Sequence, residues 1–388
     1  MQIGIAGIPN DTDDIAAACT RLGLSPLYLA AIGDPHPNAA PAPIIRVPCW
    51  EAGVCSDKLR GVRLAGVWAA NPALRGVVNS IAAHFGLPHM PCPETAGPPA
   101  LLVPGATHLS LPDLERISDS DRRNLAFPVW VRAGCGDGDA SCMRVDHPSD
   151  LSLAAIKLRG RGAGGPVRLQ PAVEGAVYRL PAFKAGRDLV PFDLVAQETT
   201  TSMYRVPLGY AMPVPRRGAL MEAAMAAASN LNRTMPPGWA YVELEFVDSG
   251  SGLTLVDVQC PATLDPLLRA VVRRSQGVDL LDAQLACAAG RAPRTTPRCE
   301  IGVAAAWLIT RSGVVTGFQG VEEARAMPGI ETVRLTAREG DRLTHVVDLV
   351  TRERGGFVMA TGSTAAAAAA RLAEAREKVW INTSPAVP

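Results

Sequence analysis

The order of apolar and polar residues predicts alternating strands and helices in the first quarter of the chain. The run MQIGIAGIP predicts a strand, and DTDDIAAACTRLG after it has a helical period with an N-cap candidate at Asp11 or Thr12. LSPLYLAAI, APIIRVP and GVRLAGVWAA predict further strands, and NPALRGVVNSIAAHFG predicts a helix. This alternation indicates an open α/β sheet over residues 1–95.

A domain boundary is predicted at residues 91–106, PCPETAGPPALLVPGA, because Pro and Gly accumulate there. Beyond it, residues 127–132 predict a strand and residues 134–141 a glycine-rich loop. A helix is expected to begin near Ser149 or Asp150. The middle of the chain therefore has strands and a helix of its own.

The second half of the chain combines longer helices with short strands. Residues 216–232 predict an amphipathic helix, and WAYVELEFVDSGSGLTLVDVQ predicts a hairpin around a DSGSG turn. Two helices broken at Gly277 follow, and short strands alternate with two helices over residues 299–388. Because 388 residues are too many for one ordinary core, we predict three parts, at 1–95, 96–190 and 191–388.

Composition narrows the class of protein. Lys plus Arg is 38 and Asp plus Glu is 37, so the net charge of +1 gives no support for a general binder of nucleic acid or membrane surfaces. The N-terminal stretch lacks the basic start and long apolar core of a signal peptide. The nine cysteines lack the spacing of a disulfide framework or a zinc site. We therefore expect a cytoplasmic protein with reduced thiols.

The predicted hairpin carries side chains that buried strands usually avoid. Alternation places Glu243 and Glu245 on one face of the first strand, and Asp257 and Gln259 on one face of the second together with Leu255. Folding the hairpin sets Glu243 opposite Asp257 or Gln259. Facing carboxylates repel, and Mg²⁺ would offset that repulsion because it takes oxygen ligands. A strand pair whose acids meet water and nearby arginines is the alternative interpretation.

The glycine-rich loop is the second candidate for chemistry. Arg132 ends an apolar strand, and Gly134, Gly136 and Gly138 follow at alternate positions. Glycines allow backbone N–H groups to approach phosphate closely, and Arg132 could hold a phosphate oxygen. The loop lacks the Gly-Lys-Ser/Thr of a Walker A motif. A plain flexible hairpin loop is the alternative.

Four stretches, in this order, resemble the ATP-grasp superfamily. FPVWVRAGCGDGDASCMRV is similar to its strand and loop over the nucleotide phosphates, and YVELEF with GLTLVDVQCP to its magnesium strands. LLRAVVRRSQGVDLLDAQLACAAG resembles the helix pair after them, and the stretch from GVVTGFQG to RLAEA the C-terminal subdomain of carboxylate–amine ligases. The resemblance covers roughly residues 85–388. It implies an α/β (α+β) ATP-grasp fold with an N-terminal open α/β sheet domain, a small glycine-loop subdomain and a C-terminal α+β subdomain.

The resemblance also implies a metal site and a nucleotide site. Asp257 stands at the magnesium Glu of the family, Gln259 at its Asn, and Glu243 at the first ligand, with Glu245 as the other option. Arg132 stands at the phosphate lysine, an exchange that keeps the charge and changes the geometry. The implied ATP contacts are Arg132, Gly134, Gly136, Gly138, Ser141 and Lys184.

A substrate-binding arginine is implied near the end of the hairpin. The family often has it two residues after the magnesium Asn, where this chain has Pro261. Arg269, Arg273 or Arg274 of the next helix would replace it and hold the substrate carboxylate or the acyl phosphate.

The activity implied by the resemblance is that of an ATP- and Mg-dependent ligase. Such a ligase forms an amide from a small-molecule carboxylate and an amine through an acyl phosphate, in small-molecule or cofactor biosynthesis. The family's earlier lysine has no counterpart, and Pro181 and Ala182 stand where its nucleotide-binding Glu is expected. These departures keep a second hypothesis open, that of a non-catalytic partner of a biosynthetic enzyme. No nucleic-acid or membrane partner is expected, and a homodimer is the oligomer common among such folds.

Overall fold

The computed structural model describes residues 1–8, 12–34, 42–88, 106–133, 142–160, 166–215, 217–261 and 264–385. Within these ranges the strands form four sheets. The predicted glycine-rich loop, with Gly134, Gly136, Gly138 and Ser141, lies outside the described residues. The N-cap candidate Asp11 also lies outside them.

The first sheet is parallel and has the strand order β3-β2-β1-β4. Its strands are nearly all apolar, as is typical of parallel strands that are covered on both faces. The predicted open α/β sheet is therefore confirmed. Its elements are β1 (Gln2–Ala6), α1 (Thr12–Arg21), β2 (Ser25–Ala31), β3 (Ile44–Val47), α2 (Ala52–Lys58), β4 (Leu64–Ala69) and α3 (Arg75–Phe85).

The second sheet is antiparallel and has the order β5-β8-β6-β7. Val131 and Leu169 pair across β6 and β8 and pack into one apolar core, whereas the next pair, Arg132 and Arg168, points to the other face. The elements are β5 (Thr107–Ser110), α4 (Leu111–Glu115), α5 (Asp119–Arg123), β6 (Val129–Ala133), β7 (Cys142–Val145), α6 (Leu151–Gly160) and β8 (Pro166–Pro171).

The third sheet has nine antiparallel strands in the order β14-β13-β9-β11-β12-β15-β19-β17, with β10 beside β9. A small fourth sheet has the order β18-β16-β20. The elements up to the hairpin are β9 (Ala176–Gly186), β10 (Asp188–Pro191), β11 (Val195–Thr199), β12 (Pro207–Met212), α7 (Arg217–Thr234), β13 (Gly238–Asp248) and β14 (Leu253–Gln259). Those after it are α8 (Pro266–Gln276), α9 (Leu280–Ala288), β15 (Gly302–Trp307), β16 (Gly313–Gln319), α10 (Val321–Arg325), β17 (Ile330–Leu335), β18 (Arg342–Leu343), α11 (Leu349–Glu353), β19 (Gly356–Gly362), α12 (Ala365–Lys378) and β20 (Trp380–Ser384).

The chain passes from the second sheet to the third between the end of β8 and the start of β9. β9 pairs with β13 along its whole length, so it belongs to the nine-stranded sheet. The sequence division at residue 190 assigns this strand to the small subdomain instead. The division into three parts stays a prediction, and the change of sheet at residues 172–175 is the structural landmark nearest to it.

The predicted hairpin is formed by β13 and β14, with Glu243 opposite Gln259 and Glu245 opposite Asp257. A β-bulge between these pairs and the turn interrupts the alternation, so Leu255 pairs with Phe246. The prediction that Leu255 shares a face with Asp257 is therefore wrong. It assumed a regular strand, and the additional residue of the bulge moves Leu255 to the apolar side.

The helix pair after the hairpin breaks where the sequence predicts. Gly277 ends α8 with φ of 68°, a left-handed conformation that favours glycine. Asp279 then caps α9 by accepting a hydrogen bond from the backbone N–H of Leu281 at 3.0 Å. Among the described helices, none combines the length and the apolar character that crossing a bilayer requires.

Candidate functional site

Three carboxylates of the hairpin lie in the cleft between the small second sheet and the large third sheet. They are Glu243, Glu245 and Asp257, called the acid cluster below, and each is at most 6% exposed. Arg132 of β6 and Arg168 of β8 reach this cluster from the small sheet. The acids are therefore buried between two sheets rather than exposed to solvent. Of the alternative considered from the sequence, in which the acids meet water and nearby arginines, the arginines are present and the exposure to water is not.

Asp257 binds two arginines and a glutamine. Its Oδ2 accepts a hydrogen bond from Arg132 Nη1 at 2.7 Å and one from Gln259 Nε2 at 2.8 Å. Its Oδ1 accepts from Arg168 Nη2 at 2.6 Å. Burial alone would raise the pKa of Asp257, but Arg132 and Arg168, with the Gln259 hydrogen bond, lower it to about 2. Asp257 is thus ionised at neutral pH.

Glu245 lies at the centre of the cluster. Its Oε1 is 3.2 Å from Arg205 Nη2 and 3.4 Å from Arg132 Nη2. Its Oε2 accepts from Arg179 Nη2 at 3.3 Å and from Gln197 Nε2 at 3.2 Å. Burial opposes ionisation here too, but the arginines outweigh it, so the pKa of Glu245 lies below its usual value.

Glu243 is held by a guanidinium group and a phenol. Arg179 Nη1 donates to its Oε2 in a short contact, and the Tyr241 hydroxyl donates to its Oε1 at 2.7 Å. Burial, followed by the nearby Glu243 charge, raises the pKa of Tyr241 well above its usual value. Tyr241 therefore stays protonated and remains a hydrogen-bond donor to Glu243.

The bulge in β14 fastens the hairpin to the small sheet. The backbone carbonyl of Val256 accepts from Gln170 Nε2 at 3.1 Å and from Arg168 Nη2 at 3.4 Å. Because Arg168 also binds Asp257, one side chain joins a backbone group and a carboxylate across the cleft. The two sheets are held together through polar groups at this point.

Four arginines surround the acid cluster, and we call them the arginine shell: Arg132, Arg168, Arg179 and Arg205. Their side chains are at most 10% exposed. Four guanidinium groups against three carboxylates give the seven side chains a net charge of +1. The site is thus positive overall, although its most visible sequence feature is acidic.

A magnesium ion does not fit this arrangement. Each of the six carboxylate oxygens of the acid cluster accepts at least one hydrogen bond from an arginine, a glutamine or Tyr241. Gln259, predicted as the third ligand, donates its own amide to Asp257. Within the described ranges, no three His, Cys, Asp or Glu side chains are arranged as a metal site. Gln259 lies opposite Glu243 and is hydrogen-bonded to Asp257, and a metal-binding role for the three residues stays a prediction that the geometry does not favour.

The three arginines predicted to bind substrate are paired with acids of other elements. Arg269 Nε donates to Asp279 Oδ1 at 2.9 Å, which ties α8 to the start of α9. Arg273 is 58% exposed and lies 3.9 Å from the same aspartate. Arg274 forms an ion pair with Glu331 on β17. None of these ion pairs involves the acid cluster, so a substrate role for the three arginines stays a prediction that the geometry does not favour.

Lys184, predicted to contact the nucleotide, lies on the other face of the large sheet. It pairs with Ala240 in the β9–β13 register, whereas Arg179, an odd number of residues away, pairs with Glu245. Its Nζ donates to Asn232 Oδ1 at 2.5 Å and to the Arg187 carbonyl at 2.9 Å. Burial lowers the pKa of Lys184. Its contacts are those of a residue that fastens α7 to the sheet.

Sequence reasoning missed three members of the arginine shell. Arg168 and Gln170 alternate with Val167 and Leu169, so the pattern of the strand contained a signal for a polar face. Arg179 sits in a largely apolar strand and has a similar signal. Arg205 lies in the connection between β11 and β12, where no periodicity indicates its direction.

A second buried polar group extends the polar side of the sheet at β12. The Tyr210 hydroxyl donates to Asp265 Oδ2 at 2.7 Å, and Arg352 Nη1 donates to the same oxygen at 2.9 Å. Asp265 also caps α8 through the backbone N–H of Leu267 at 2.9 Å. Its pKa lies below the usual value because Arg352 and Tyr210 outweigh the effect of burial. This group anchors the first turn of α8 against the sheet.

The comparisons with known proteins cover the C-terminal part by sequence and the whole chain by structure. A family profile described as "L-amino acid ligase C-terminal domain 2" matches residues 306–384, from β15 to the end of β20. None of the curated protein sequences compared with the chain matches it.

Three solved structures illustrate the similarity in fold. The L-amino acid ligase from Bacillus licheniformis has a TM-score of 0.74 at 17% identity, covering 99% of this chain and 98% of that chain. The N5-carboxyaminoimidazole ribonucleotide synthetase from Thermotoga maritima has a TM-score of 0.68 at 14% identity, covering 99% of each chain. The N5-carboxyaminoimidazole synthase from Aspergillus clavatus, in complex with ADP and 5-aminoimidazole ribonucleotide, has a TM-score of 0.69 at 12% identity, covering 97% and 98%.

Identities this low establish the fold and leave the activity to be argued from the site. The similarity extends over the whole chain in each case, so it includes the parallel N-terminal sheet, the small sheet and the large sheet. The fold implied by the four sequence stretches is therefore confirmed. The chain therefore has the fold that these three ligase structures share.

Proposed function

We propose that the chain is an ATP-dependent ligase that joins a small-molecule carboxylate to an amine through an acyl phosphate. The observation that carries the proposal is the end-to-end similarity in fold to an L-amino acid ligase. The profile match over residues 306–384 supports the same class, because it is to a domain of that enzyme family. A buried, charged cleft between two sheets is also a suitable place for phosphoryl transfer, which depends on positioning and charge.

The positive cleft supports binding of a phosphate chain. The arginine shell exceeds the acid cluster by one charge, and the Nε groups of Arg168 and Arg205 are buried without a hydrogen-bond partner among the described residues. Arginine N–H donors suit phosphate oxygens in number and geometry. We therefore assign the triphosphate of ATP to the side of the cleft that Arg168 and Arg205 line, next to the strand end at Arg132.

The proposed reaction has two steps. The substrate carboxylate attacks the γ-phosphorus of ATP, which forms the acyl phosphate and releases ADP. The amine nitrogen then attacks the acyl carbon, loses a proton and expels inorganic phosphate, which leaves the amide. The arginine shell stabilises the negative charge on the phosphoryl oxygens in both steps. Magnesium, expected from the sequence as a second cofactor, has no position among the three carboxylates as they are arranged, and we assign it no step.

A second candidate function is that of a non-catalytic ATP-grasp-fold protein that binds a biosynthetic partner. The observation in its favour is the ion pairing of Glu243 and Asp257 with arginines. A catalytic metal site would keep carboxylate oxygens available, whereas these carboxylates act as structural anions. The homodimer and the cytoplasmic location expected from the sequence are compatible with both candidates and stay predictions.

The test is ADP release by the purified chain with ATP and Mg²⁺, against a panel of amino acids offered singly and in pairs. The ligase proposal expects ADP release that depends on an added amino acid or pair of amino acids, and a loss of about tenfold or more in Arg205→Met. Arg274→Met is the matched control, because this arginine pairs with Glu331 outside the cleft. ATP binding without ADP release for any pair would favour the second candidate. No detectable binding of ATP at millimolar concentration would exclude the ligase.

A further inference from the structure

The arginines contact the acid cluster in two ways: two of them bridge two carboxylates each, and the other two contact one carboxylate each. Arg132 donates to Asp257 with one terminal nitrogen and to Glu245 with the other. Arg179 donates in the same way to Glu243 and Glu245. Two guanidinium groups thus each bridge two carboxylates. A divalent cation between neighbouring carboxylates would offset the same repulsion, because it takes oxygen ligands.

The other two arginines contact oxygens of the same carboxylates. Arg168 binds Asp257 Oδ1, and Arg205 lies 3.2 Å from Glu245 Oε1. Arg205 is also stacked over the ring of Trp130, with 5.3 Å between its Cζ and the ring centroid, which fixes the direction of its guanidinium group. A metal ion would have to displace these donors before it reached a carboxylate oxygen.

The net charge of the cluster also disfavours a metal ion. The seven side chains already have a net charge of +1, and a divalent cation would raise it to about +3 inside a cleft from which water is largely excluded. Mg²⁺ also gives up its water shell reluctantly and requires near-octahedral oxygen ligands. The cluster therefore favours an anion over a cation as its ligand.

We propose that the guanidinium groups of Arg132 and Arg179 take the place of a divalent cation in the acid cluster. The three acids then serve to position the arginine shell, and the metal-binding role that the sequence resemblance implied for Glu243, Asp257 and Gln259 is absent from this chain. This inference goes beyond the proposed function and holds whether or not the chain turns over ATP.

The test is a titration of the wild-type chain with Mn²⁺ as a spectroscopic substitute for Mg²⁺, without nucleotide. Electron paramagnetic resonance reports the free Mn²⁺ directly. We expect the free signal to match that of buffer up to millimolar Mn²⁺, and the melting temperature to be the same in EDTA and in millimolar Mg²⁺. Gln259→Leu, which removes a predicted ligand oxygen and leaves every arginine in place, should give the same two results.

One stoichiometric Mn²⁺ site of sub-millimolar affinity that is lost in Gln259→Leu would overturn the inference. So would a rise in melting temperature with Mg²⁺ that the wild type shows and Gln259→Leu does not. The double variant Arg132→Met/Arg179→Met provides the converse measurement, because its cluster has a net charge of −1. If it folds, we expect it to bind Mn²⁺ where the wild type does not, and equal absence of binding in a folded double variant would count against the bridging role.

The outcomes of this titration are separate from those of the ADP-release assay. Binding of Mn²⁺ to the acid cluster would remove the inference and leave the ligase proposal standing. Failure to bind ATP would remove the ligase proposal and leave the inference standing, since the titration contains no nucleotide.

Discussion

The acid cluster in the cleft and the ion pairs around α9 are both built from arginines and acids that are distant in sequence, but only the second set includes ion pairs that water reaches. In the cleft, every charged side chain is at most 10% exposed. Around α9, Arg21 is 43% exposed and Asp282 is 24% exposed, although their contact of 2.6 Å is equally short. We call the second set the helical ion pairs: Arg21, Arg269, Asp279 and Asp282.

This difference in exposure shows why contact distance alone does not predict how much each ion pair stabilises the fold. An ion pair that water reaches is worth about 0–1 kcal/mol, because water screens the charges and competes for the donors. Removing one partner from a buried pair costs about 3–5 kcal/mol, because the other charge remains without solvent. The Arg21–Asp282 pair therefore stabilises the contact of α1 with α9 only modestly, whereas the cleft depends on a complete set of partners. Arg269 and Asp279, at 10% and 8% exposed, are as buried as the residues of the cleft.

The two regions should differ most in the loss of unfolding free energy when one acid is removed from each. Asp257→Asn leaves Arg132 and Arg168 buried beside a neutral amide and should lower the free energy of unfolding by about 3–5 kcal/mol. Asp282→Asn is the matched variant in the helical ion pairs and should cost about 1 kcal/mol or less. Urea unfolding of both variants measures the difference. Equal losses would show that the cleft is as well hydrated as the helix surface.

Lowering the pH should weaken the ion pairs of Asp257 over a defined range. The pKa of Asp257 is lowered from 3.8 to about 2 in the folded chain. Since the folded-state pKa lies below the unfolded value, its stabilisation is complete above pH 4 and is lost as the pH falls towards 2. Its size is about 2 kcal/mol. We expect the gap in unfolding free energy between wild type and Asp257→Asn to narrow by about this amount over that range. A gap that does not change with pH would contradict the ion-pair assignment.

A smaller difference in unfolding free energy is expected between variants of two arginines on α8. Arg269→Met removes the buried partner of Asp279 and should cost about 1–3 kcal/mol, because Arg21 still binds Asp279 at 3.1 Å. Arg273→Met, on the same helix, changes a side chain that is 58% exposed and should stay within about 0.5 kcal/mol of wild type. Neither variant should change ADP release by itself. A selective loss of ADP release in Arg269→Met at full stability would restore the substrate role that the sequence suggested.

The smallest expected effect is the change in ATP affinity on substitution of Lys184. Its side chain faces away from the cleft and binds Asn232 of α7. Lys184→Met should therefore leave the affinity for ATP unchanged, as measured by calorimetry, with Arg205→Met as the comparison inside the cleft. A loss of ATP affinity in Lys184→Met as large as in Arg205→Met would mean that the nucleotide lies on the other face of the sheet.

The fold was largely predictable because its signals are local. Apolar runs, the turn after Asp248 and the break at Gly277 each predict an element from a few neighbouring residues, and these elements are present. Over residues 299–388 the sequence predicts two helices, and the described part of this stretch has three, two of them only five residues long. The sequence left the register of the hairpin open between Asp257 and Gln259 as the residue opposite Glu243, and the structure has Gln259 there. Turn length sets register only approximately when a bulge is present.

The partners of the acids were harder to predict because they come from strands far apart in sequence. Arg179 reaches Glu243 across 64 positions, and Arg132 reaches Asp257 across 125. The pairing of β9 with β13 brings Arg179 to Glu243, and the packing of the small sheet on the large one brings Arg132 to Asp257. Facing carboxylates suggested a cation correctly, but a sequence does not distinguish a metal ion from a guanidinium group, since both satisfy the same charge.

The most direct measurement is a double-mutant cycle of Arg132→Met and Asp257→Asn, run once in EDTA and once in millimolar Mg²⁺. It isolates the coupling between the two side chains from the cost of each substitution. If arginine is the counter-charge, the coupling should be about 2–3 kcal/mol and the same in both conditions. A coupling below about 0.5 kcal/mol, or one that disappears when Mg²⁺ is added, would contradict it.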